Sequence, residues 1–575
     1  MAFCPILLVA LFSLIYGNYI IPIEATHHVY RTLQSSSSDS SNHQPYRTAY
    51  HFQPHKNWIN DPNGPMRYGG FYHLFYQYNP EGAVWGNIVW AHSVSKDLVN
   101  WTPLDHAIHP SQPSDIKGCW SGSATILPGG KPAILYTGIN PNNHQVQNIA
   151  IPKNISDPLL REWKKSPKNP LMEPTINNKI NSSSFRDPTT SWLGKDGYWR
   201  VLIGSKINTK GMAIMYKSKN FVNWVEAKHP LHSAEGTGMW ECPDFFPVLN
   251  KKNTLKIGVD TSMIGDDVKH VLKVSLDDTK HDHYLIGTYE TTKDIFVPEN
   301  GFVDNKFVLR YDYGKYYASK TFFDDGKNRR ILLGWVNESS SVADDIKKGW
   351  SGIHTIPRTI WLHKSGKQLI QWPVKEIENL RINPVNWPTK VIKGGELIPI
   401  TGVNSVQADV EISFEVKDFE KAEILDHWID PQILCSQKGA SKKGGVGPFG
   451  LLVFASQGLQ EYTAVFFRIF KYQHKNLVLM CSDQSRSSLN KDNDMTTYGT
   501  FVDVDPLHEN LSLRTLIDHS VVESFGGEGR ACITARVYPT LAIHDKAKLY
   551  AFNNGTSAVK ISRLSAWSMK KAKIY

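Results

Sequence analysis

SKDLVNW at residues 95–101 returns almost unchanged as SKNFVNW at residues 218–224, with five of seven positions identical. Between the two, SDPLLREW ends at Trp163. The tryptophans that close these segments, at positions 101, 163 and 224, therefore stand 62 and 61 residues apart. A repeat of this length, filled with short apolar strands and turns rich in Gly, Pro and Asn, is typical of a β-propeller blade. A chance similarity of two heptads is the alternative, and the third tryptophan in register argues against it.

Roughly five repeats of this length fit between residues 50 and 375, which we assign to a propeller. Beyond NLRINPVNWPTK the pattern changes: DVEISFEV at residues 409–416 alternates polar and apolar residues, and YTAVFFRIF and ACITARVYP are further strand-like segments. Strands and turns without a helical period favour an antiparallel β-sandwich. We assign it to residues 389–575, after a linker at 376–388. The predicted fold class is all-β, with two domains.

The chain has 575 residues, too many for one core, with 41% hydrophobic and 21% charged residues, as in an ordinary globular protein. Residues 1–25 hold an apolar segment that ends in Ala25 and predict a secretory signal peptide. Because its first residues carry no Lys or Arg, an uncleaved membrane anchor remains the alternative. Residues 26–49, with the segment LQSSSSDSSNHQ, are predicted to be a spacer.

Six Asn-X-Ser/Thr sequons fit a secreted glycoprotein, although such triplets also arise by chance. The candidate acceptors are Asn100, Asn154, Asn181, Asn337, Asn510 and Asn554. After the signal peptide five cysteines remain, and the odd number leaves at least one free thiol. We therefore expect one disulfide, or at most two.

The formal net charge of +10 and the pI near 9.0 predict binding to an anionic matrix. Nucleic acid is the other polyanion, but Lys and Arg are scattered rather than clustered, and a secreted chain rarely meets it. The sequence contains no CxxC, HExxH or Gly-rich phosphate loop, and HDH at residues 281–283 is too short a pattern for a metal site.

Four motifs fall on the same repeat. They are NDPNG with Asp61, CWSGSAT with Ser121, FRDPTT with Asp187 and MWECPDFF with Glu241, at steps of 60, 66 and 54 residues. The residues of NDPNG favour a turn by themselves, and a plain structural turn is the simplest interpretation of this motif. Equivalent positions of successive blades, however, meet around the axis of a propeller. We therefore expect the four motifs to converge on one funnel.

Carboxylates, indoles and amides in one funnel suit a sugar, because indole faces stack on its C–H face and polar groups bind its hydroxyls. The tryptophans and amides placed there are Trp58, Trp85, Trp120, Trp240, Asn60 and Gln77. Two carboxyls on either side of a glycosidic bond are the usual equipment for its hydrolysis. A carbohydrate-binding protein without turnover could use the same residues, so composition leaves both functions open.

The sequence resembles the plant acid invertases and fructan exohydrolases of glycoside hydrolase family thirty-two, along nearly the whole chain after residue 45. The resemblance rests on WINDPNGP, FYQYNP, WGNIVWAHSVSKDLVNW, WSGSAT, FRDPTT, WECPDFFPV, YYASKTFF and LIDHSVVESFGGEGRACITARVYP. It implies a five-bladed β-propeller followed by a β-sandwich, in agreement with the repeat.

The resemblance also implies roles for single residues. Asp61 would be the nucleophile, Asp187 the transition-state stabiliser and Glu241 the acid/base of a retaining mechanism. Substrate contacts would come from Trp58, Asn60, Gln77, Trp85, Trp120, Ser121 and Arg186, with Asp277 and Lys280 at the rim. No metal or organic cofactor is implied. Cys435 would pair with Cys481, which leaves Cys119, Cys242 and Cys532 free, and Cys242 should pack as a small buried hydrophobe.

Within this family Pro243 is typical of cell-wall forms, which agrees with the basic pI and the signal peptide. The leading hypothesis is a secreted β-fructofuranosidase of the apoplast that cleaves sucrose. An exohydrolase of levan or inulin and a carbohydrate-binding relative without turnover are the alternatives. Expected partners are the sugar substrate and the anionic cell-wall matrix, with a proteinaceous inhibitor left open and neither nucleic acid nor a membrane expected.

Overall fold

Five sheets follow one another along residues 57–373 in the computed structural model, which describes residues 44–250, 256–299 and 309–574. All elements below belong to the compact unit Tyr46–Tyr575. The predicted signal peptide lies outside the described residues, as does the predicted spacer up to residue 43. Nearly every element is a strand, in agreement with the predicted fold class.

The five sheets are the blades of a propeller, and each blade is named here by its place in the chain. Blade 1 contains β1 (Asn57–Tyr68), β2 (Phe71–Asn79), β3 (Val89–Ser95), β4 (Trp101–Ile108) and, from later in the chain, β21 (Trp350–Ser351). Blade 2 contains β5 (Cys119–Leu127), β6 (Lys131–Ile139), β7 (Gln145–Pro152) and β8 (Trp163–Lys165). Blade 3 contains β9 (Phe185–Arg186), β10 (Trp192–Leu193), β11 (Trp199–Ile207), β12 (Lys210–Ser218), β13 (Val225–Glu226) and β14 (His232–Ala234).

Two further blades complete the propeller. Blade 4 contains β15 (Trp240–Leu249), β16 (Val268–Leu276), β17 (His281–Glu290) and β18 (Ile295–Pro298). Blade 5 contains β19 (Tyr317–Asp324), β20 (Arg329–Val336), β22 (Ile353–His354), β23 (Arg358–Leu362) and β24 (Leu369–Pro373). The opening strands β1 and β5 are in contact, as are β5 and β9, β15 and β19, and β19 and β1, while β11 of blade 3 contacts β15 of blade 4. They therefore surround one axis.

The ring closes because a segment between two blade 5 strands pairs with blade 1. Asn57 and Trp58 of β1 lie in parallel register with Trp350 and Ser351 of β21. The first blade thus completes its sheet with residues nearly three hundred positions later in the chain. This pairing fixes β1, and with it the predicted nucleophile, against the last blade.

The sequence repeat encodes one turn that leads into the fourth strand of a blade. Trp101 and Trp163 open β4 and β8, and Trp224 immediately precedes β13. Three residues before each tryptophan, Leu98, Leu160 and Phe221 have positive φ angles of 65°, 45° and 63°. The indole N–H groups of Trp101 and Trp163 donate to the carbonyls of Leu98 (3.2 Å) and Leu160 (2.9 Å). The repeat that predicted the propeller is confirmed as a turn recurring at equivalent blade positions.

Two seven-stranded sheets form the sandwich that follows the propeller. The first contains β25 (Arg381–Trp387), β26 (Lys390–Ile392), β28 (Gln407–Glu415), β34 (Leu511–Asp518), β35 (Val521–Gly526), β36 (Ala531–Arg536) and β38 (Val559–Met569). The second contains β27 (Glu396–Pro399), β29 (Glu423–Ile424), β30 (Val446–Ala455), β31 (Thr463–Tyr472), β32 (Lys475–Asp483), β33 (Tyr498–Val502) and β37 (Lys548–Asn553). Their facing apolar side chains form one core cluster.

Helices are few and short in the described residues. They are α1 (Val342–Lys348), α2 (Pro431–Gln437) and the 3₁₀ helices Lys375–Leu380, Gln457–Leu459 and His544–Lys546. The implied disulfide is present and joins Cys435 of α2 to Cys481 of β32, while Cys119, Cys242 and Cys532 are free and buried. No described helix is long and apolar enough to cross a membrane.

The predicted linker, residues 376–388, is not a free connection. It holds the end of a 3₁₀ helix and β25, which pairs with β38 of the sandwich. The pairing shifts register between Ile382 and Val385, where Pro384 lies. Proline cannot donate to a sheet ladder and is tolerated at such bulges, so this part of the predicted linker is an irregular edge strand.

A buried charge network joins the propeller to the sandwich. His51 places Nδ1 2.9 Å from Asp518 and Nε2 3.0 Å from Glu523. Arg358 of blade 5 pairs with Glu523 and Asp312, each at 2.8 Å. The main-chain N–H groups of residues 49–51, at the end of the predicted spacer and the start of the predicted propeller, all donate to Asp518. Because every charged group of the network is buried and paired, loss of one partner leaves an uncompensated charge.

We predict that His51→Gln destabilises the protein most at acidic pH, by about 3 to 5 kcal/mol. Burial lowers the pKa of His51, but the hydrogen bonds to Asp518 and Glu523 outweigh it and leave the pKa raised. A raised pKa contributes stability below the ordinary histidine value, and that contribution is lost as pH rises through the folded value. Thermal melting of wild type and variant between pH 5 and 9 should therefore converge as pH increases.

His270→Gln is the matched control, because burial lowers the pKa of His270 to about 4 and the ring stays neutral over this range. Its pH dependence should run the opposite way: below the ordinary histidine pKa the unfolded ring takes up a proton that the folded ring does not, so wild type loses stability relative to His270→Gln as pH falls. A constant difference between wild type and His51→Gln from pH 5 to 9 would contradict a charged His51.

Candidate active site

A cavity of about 700 Å³ opens where the first strands of the blades meet. Every predicted catalytic and substrate-binding residue except Asp277 lines it: Trp58, Asn60, Asp61, Gln77, Trp85, Trp120, Ser121, Arg186, Asp187, Glu241 and Lys280. The four motifs do converge on one funnel, as expected from the propeller axis.

Each opening strand departs from regular pairing where its functional residue lies. Register shifts fall between Ile59 and Pro62, between Cys119 and Gly122, between Glu241 and Asp244, and between Tyr317 and Lys320. In blade 3, β9 ends at Arg186 and Asp187 follows with a φ of 67°. A β-bulge re-aims side chains that a regular strand would alternate between faces. The five departures therefore turn functional side chains toward the axis.

Asp61 is held by donors from three blades. Trp58 Nε1 donates to Asn60 Oδ1 at 2.8 Å, which orients the amide so that Asn60 Nδ2 donates to Asp61 Oδ1 at 3.0 Å. Ser121 Oγ donates to Asp61 Oδ2 at 2.5 Å. Cys242 Sγ lies 3.3 Å from the same oxygen. Both carboxylate oxygens are thus fixed in place.

Cys242 links Asp61 to Asp187. Its main-chain N–H donates to Asp187 Oδ2 at 2.9 Å, and its thiol lies 3.6 Å from that oxygen. Burial and the two carboxylates raise the pKa of the Cys242 thiol well above its usual value, so the thiol keeps its proton. Cys242 is buried as predicted, but it serves as a polar donor and not only as a small hydrophobe.

Glu241 faces a guanidinium and a phenol. Arg186 Nη2 donates to Glu241 Oε1 at 2.7 Å, and Tyr317 Oη donates to Oε2. Arg186 Nε also lies 4.0 Å from Asp187 Oδ2, so one cation spans two of the three carboxylates. Although burial lowers the pKa of Arg186, the charges of Glu241 and Asp187 raise it by more, and the guanidinium stays charged.

Burial acts on the other two carboxyls. It raises the pKa of Asp61, and the hydrogen bond from Ser121 opposes that rise. It raises the pKa of Asp187 as well, where the charge of Arg186 opposes it. The donors around each group therefore favour the ionised form against desolvation.

Aromatic rings form the outer wall of the cavity. Trp85 and Trp120 meet edge to face at 5.7 Å, and Trp58 meets Trp335 at the same distance. Trp85 is 56% exposed, so its face is open to a ligand. Trp240, which the sequence analysis placed in the funnel, is fully buried and donates to Thr237 Oγ1 instead. It adjoins Glu241 on β15, and neighbouring side chains of a strand point to opposite faces.

Asp277 is partly exposed and does not line the cavity. It accepts a hydrogen bond from Lys280, whose Nζ lies 3.9 Å from Glu241 Oε2 and 5.4 Å from the Tyr317 ring centre. Asp277 and Lys280 are thus in contact, but only the lysine lines the cavity in this structure.

Several residues that line the cavity were not expected from the sequence. Gln145 and Tyr317 are two of them: Gln145 Oε1 accepts from Arg186 Nη1 at 3.2 Å, and Tyr317 contacts Glu241. Tyr317 lies within YYASKTFF, a motif noted in the sequence without a role for any of its residues. Four others come from the sandwich, which no blade repeat could place at the funnel: Gln432, Asp494, Thr496 and Tyr498.

The aspartate of the HDH segment at residues 281–283 pairs with a lysine. Asp282 is buried and lies 3.5 Å from Lys273 Nζ. Over the described ranges, no group of three or more His, Cys, Asp and Glu side chains is arranged to hold a metal ion.

Residues 51–373 match the family model described as glycosyl hydrolases family 32 N-terminal domain, and residues 376–568 match the family 32 C-terminal model. The chain is 87% identical to a cell wall isozyme of β-fructofuranosidase from Pisum sativum, over 96% of this chain and 99% of that protein. It is 64% identical to a fructan 6-exohydrolase from Beta vulgaris, over 92% and 88%. A fructan 1-exohydrolase IIa from Cichorium intybus, solved in complex with 1-kestose, is 54% identical, with a TM-score of 0.90 over 92% and 99% of the two chains.

Proposed function

Because the chain belongs to glycosyl hydrolases family 32, we propose that it is a retaining β-fructofuranosidase that hydrolyses sucrose to glucose and fructose. The observation that carries the proposal is the gathering of Asp61, Asp187 and Glu241 on one cavity lined by indoles. It supports glycoside hydrolysis over sugar binding alone, because binding does not require two carboxyls with separate hydrogen-bonding environments.

In the first step Asp61 attacks the anomeric carbon of the fructosyl unit while Glu241 protonates the leaving glucosyl oxygen. The C–O bond to glucose breaks as the bond to Asp61 Oδ forms, and glucose departs. The donors to Asp61 from Ser121, Asn60 and Cys242 favour the ionised form of the attacking carboxylate.

In the second step Glu241, now ionised, takes a proton from water, which attacks the same carbon and releases fructose. Asp187 faces the positive charge that develops on the sugar ring in both transition states. Arg186 holds Glu241 and balances the charge of Asp187. The roles thus follow from which groups can donate, accept or carry charge where they stand.

The choice of sucrose rests on more than family membership, because relatives at 64% and 54% identity are named fructan exohydrolases. The 87% identity to a cell wall β-fructofuranosidase favours sucrose. The Lys280–Asp277 contact at the rim also supports it, since this pair can bind the hydroxyls of a glucosyl leaving group. Fructan exohydrolysis is the alternative.

The site of action is proposed to be the cell wall. The net charge of +10 favours retention on an anionic polysaccharide matrix. Of the six candidate glycosylation asparagines, Asn154, Asn181 and Asn510 are exposed and so accessible to a glycan in the folded protein. The name of the Pisum sativum relative agrees with this location.

The function is tested by incubating purified protein separately with sucrose, inulin and levan and measuring released fructose. We expect the highest kcat/KM on sucrose. A preference for inulin or levan would establish the exohydrolase alternative, and no release from any of the three would establish a binding protein.

We predict that Glu241→Gln lowers the rate on sucrose by about 10²- to 10⁴-fold, because the amide cannot protonate the leaving oxygen. Initial rates and circular dichroism, measured on the same sample, should separate lost chemistry from lost structure. Glu235→Gln is the control, since Glu235 is exposed and pairs only with Lys210 among the salt bridges of the described chain. Wild-type turnover in Glu241→Gln would refute the acid/base role.

Ser121→Ala should move the acidic limb of kcat/KM for sucrose to higher pH. The Ser121 hydrogen bond lowers the pKa of Asp61, so its removal lets burial raise that pKa further. Asp61 must be ionised to attack, and activity will then fail at a higher pH as the solution is acidified. The control is Ser123→Ala on the same strand, whose buried hydroxyl has no hydrogen-bond partner among the described residues. An unmoved limb in Ser121→Ala would contradict the assignment of Asp61.

Asp277→Ala should lower kcat/KM for sucrose by about 1 to 3 kcal/mol, the scale of a lost charged hydrogen bond. Without its partner, Lys280 is no longer held at the rim where the glucosyl unit lies. Hydrolysis of a fructan oligomer should fall less. Asp278→Ala, at the exposed neighbouring position, serves as control. Equal losses of kcat/KM on sucrose and on the fructan oligomer would show that Asp277 does not contribute to recognition of the glucosyl unit.

A further inference from the structure

Behind Glu241 lies a fully buried ion pair that touches no solvent and does not line the cavity. Lys273 of β16 and Asp282 of β17 each have 0% exposed surface, with Nζ 3.5 Å from Oδ2. Ser275, also fully buried, connects them: Lys273 Nζ donates to Ser275 Oγ at 3.2 Å, and Ser275 Oγ donates to Asp282 Oδ1 at 2.6 Å. A buried pair of this kind is weak evidence for stability by itself, because desolvation offsets the attraction.

Its hydrogen bonds go to two of the bulges that shape the cavity. Lys273 Nζ donates to the carbonyl of Cys242 at 2.8 Å and to the carbonyl of Ser319 at 2.6 Å. Asp282 accepts from the main-chain N–H groups of Ala318 (3.1 Å) and Ser319 (2.9 Å). Cys242 follows Glu241 in blade 4, and residues 318–319 follow Tyr317 in blade 5.

The bulges need such support because their main chain is strained. Cys242 and Ala318 have φ angles of 44° and 53°, in the left-handed region that L-residues with a Cβ rarely adopt. A ladder hydrogen bond cannot form where register shifts, so the carbonyls and N–H groups of these bulges require other partners. Lys273 and Asp282 supply them.

We propose that Lys273 and Asp282 are positioning residues for general-acid catalysis: the pair locks the blade 4 and blade 5 bulges together and so sets Glu241 against Tyr317 and the leaving oxygen. The proposal rests on the acid role of Glu241 proposed above. Neither residue touches the substrate. Their effect is carried through the main chain of Cys242 and Ser319, and its loss would weaken proton donation more than substrate binding.

Leaving-group dependence tests this directly. Sucrose releases a glucosyl alkoxide that needs a proton, whereas 4-nitrophenyl β-D-fructofuranoside releases a phenolate that leaves without one. We expect Lys273→Met to lower kcat/KM by about 10²-fold on sucrose and by less than about tenfold on the nitrophenyl fructoside, with little change in KM. Ser275→Ala removes only the connecting hydroxyl and should show the same selectivity on a smaller scale, whether or not Lys273→Met folds.

The control for a purely structural role is Arg200→Met. Arg200 of blade 3 is also buried and pairs at 2.6 Å with Asp294 of blade 4, away from the cavity lining. Arg200→Met should lower thermal stability and change kcat/KM on the two substrates by the same factor. The positioning role is overturned if Lys273→Met and Ser275→Ala lower kcat/KM equally on both substrates while Glu241→Gln lowers it more on sucrose than on the nitrophenyl fructoside. If Glu241→Gln itself shows no selectivity, the proposed acid role fails instead.

Discussion

The carboxylate of Asp187 is buried and that of Asp61 is partly buried, and both are in contact with Cys242. Two like charges in a cavity of low dielectric repel each other, and each can stay ionised only with donors and a countercharge close by. Arg186 provides the charge, and Ser121 and the Cys242 main chain provide donors. These groups come from four different blades, so the site exists only when the propeller ring is closed. The pairing of β21 with β1, which closes the ring, is therefore a condition for assembling the site.

Main-chain irregularity is the means by which the blades present their polar groups. A regular strand would send alternate side chains to opposite faces, and Glu241 and Asp187 reach the axis where pairing slips. Each slip leaves main-chain groups that need partners. Thr137 Oγ1 accepts the N–H of Asp187 at 2.8 Å, and His354 Nε2 lies 2.7 Å from the carbonyl of Asn60. The residues behind the cavity wall are thus as much a condition of the geometry as those that line it.

The sandwich contributes more than a support. Its Asp494 accepts from Lys315 Nζ at 2.7 Å and lines the cavity together with Tyr498. Differences in what binds beyond the scissile bond would distinguish a sucrose hydrolase from a fructan hydrolase. The interface network around His51 and Glu523 joins the sandwich to the propeller.

The sequence by itself determined what depends on local chemistry and spacing. A turn with a left-handed residue three positions before tryptophan recurs because local hydrogen bonds form it wherever the motif occurs, and this revealed the propeller. The acid motifs at blade intervals then located Asp61, Asp187 and Glu241. Tertiary structure alone decided which neighbours of these acids face the axis. Trp240 turns inward to the core, Cys242 becomes a donor, Tyr317 and Gln145 join the site, and the proline-containing linker becomes β25. The physical reason is that bulges, ring closure and the propeller–sandwich interface are set by pairing between residues far apart in the chain, which no local pattern records.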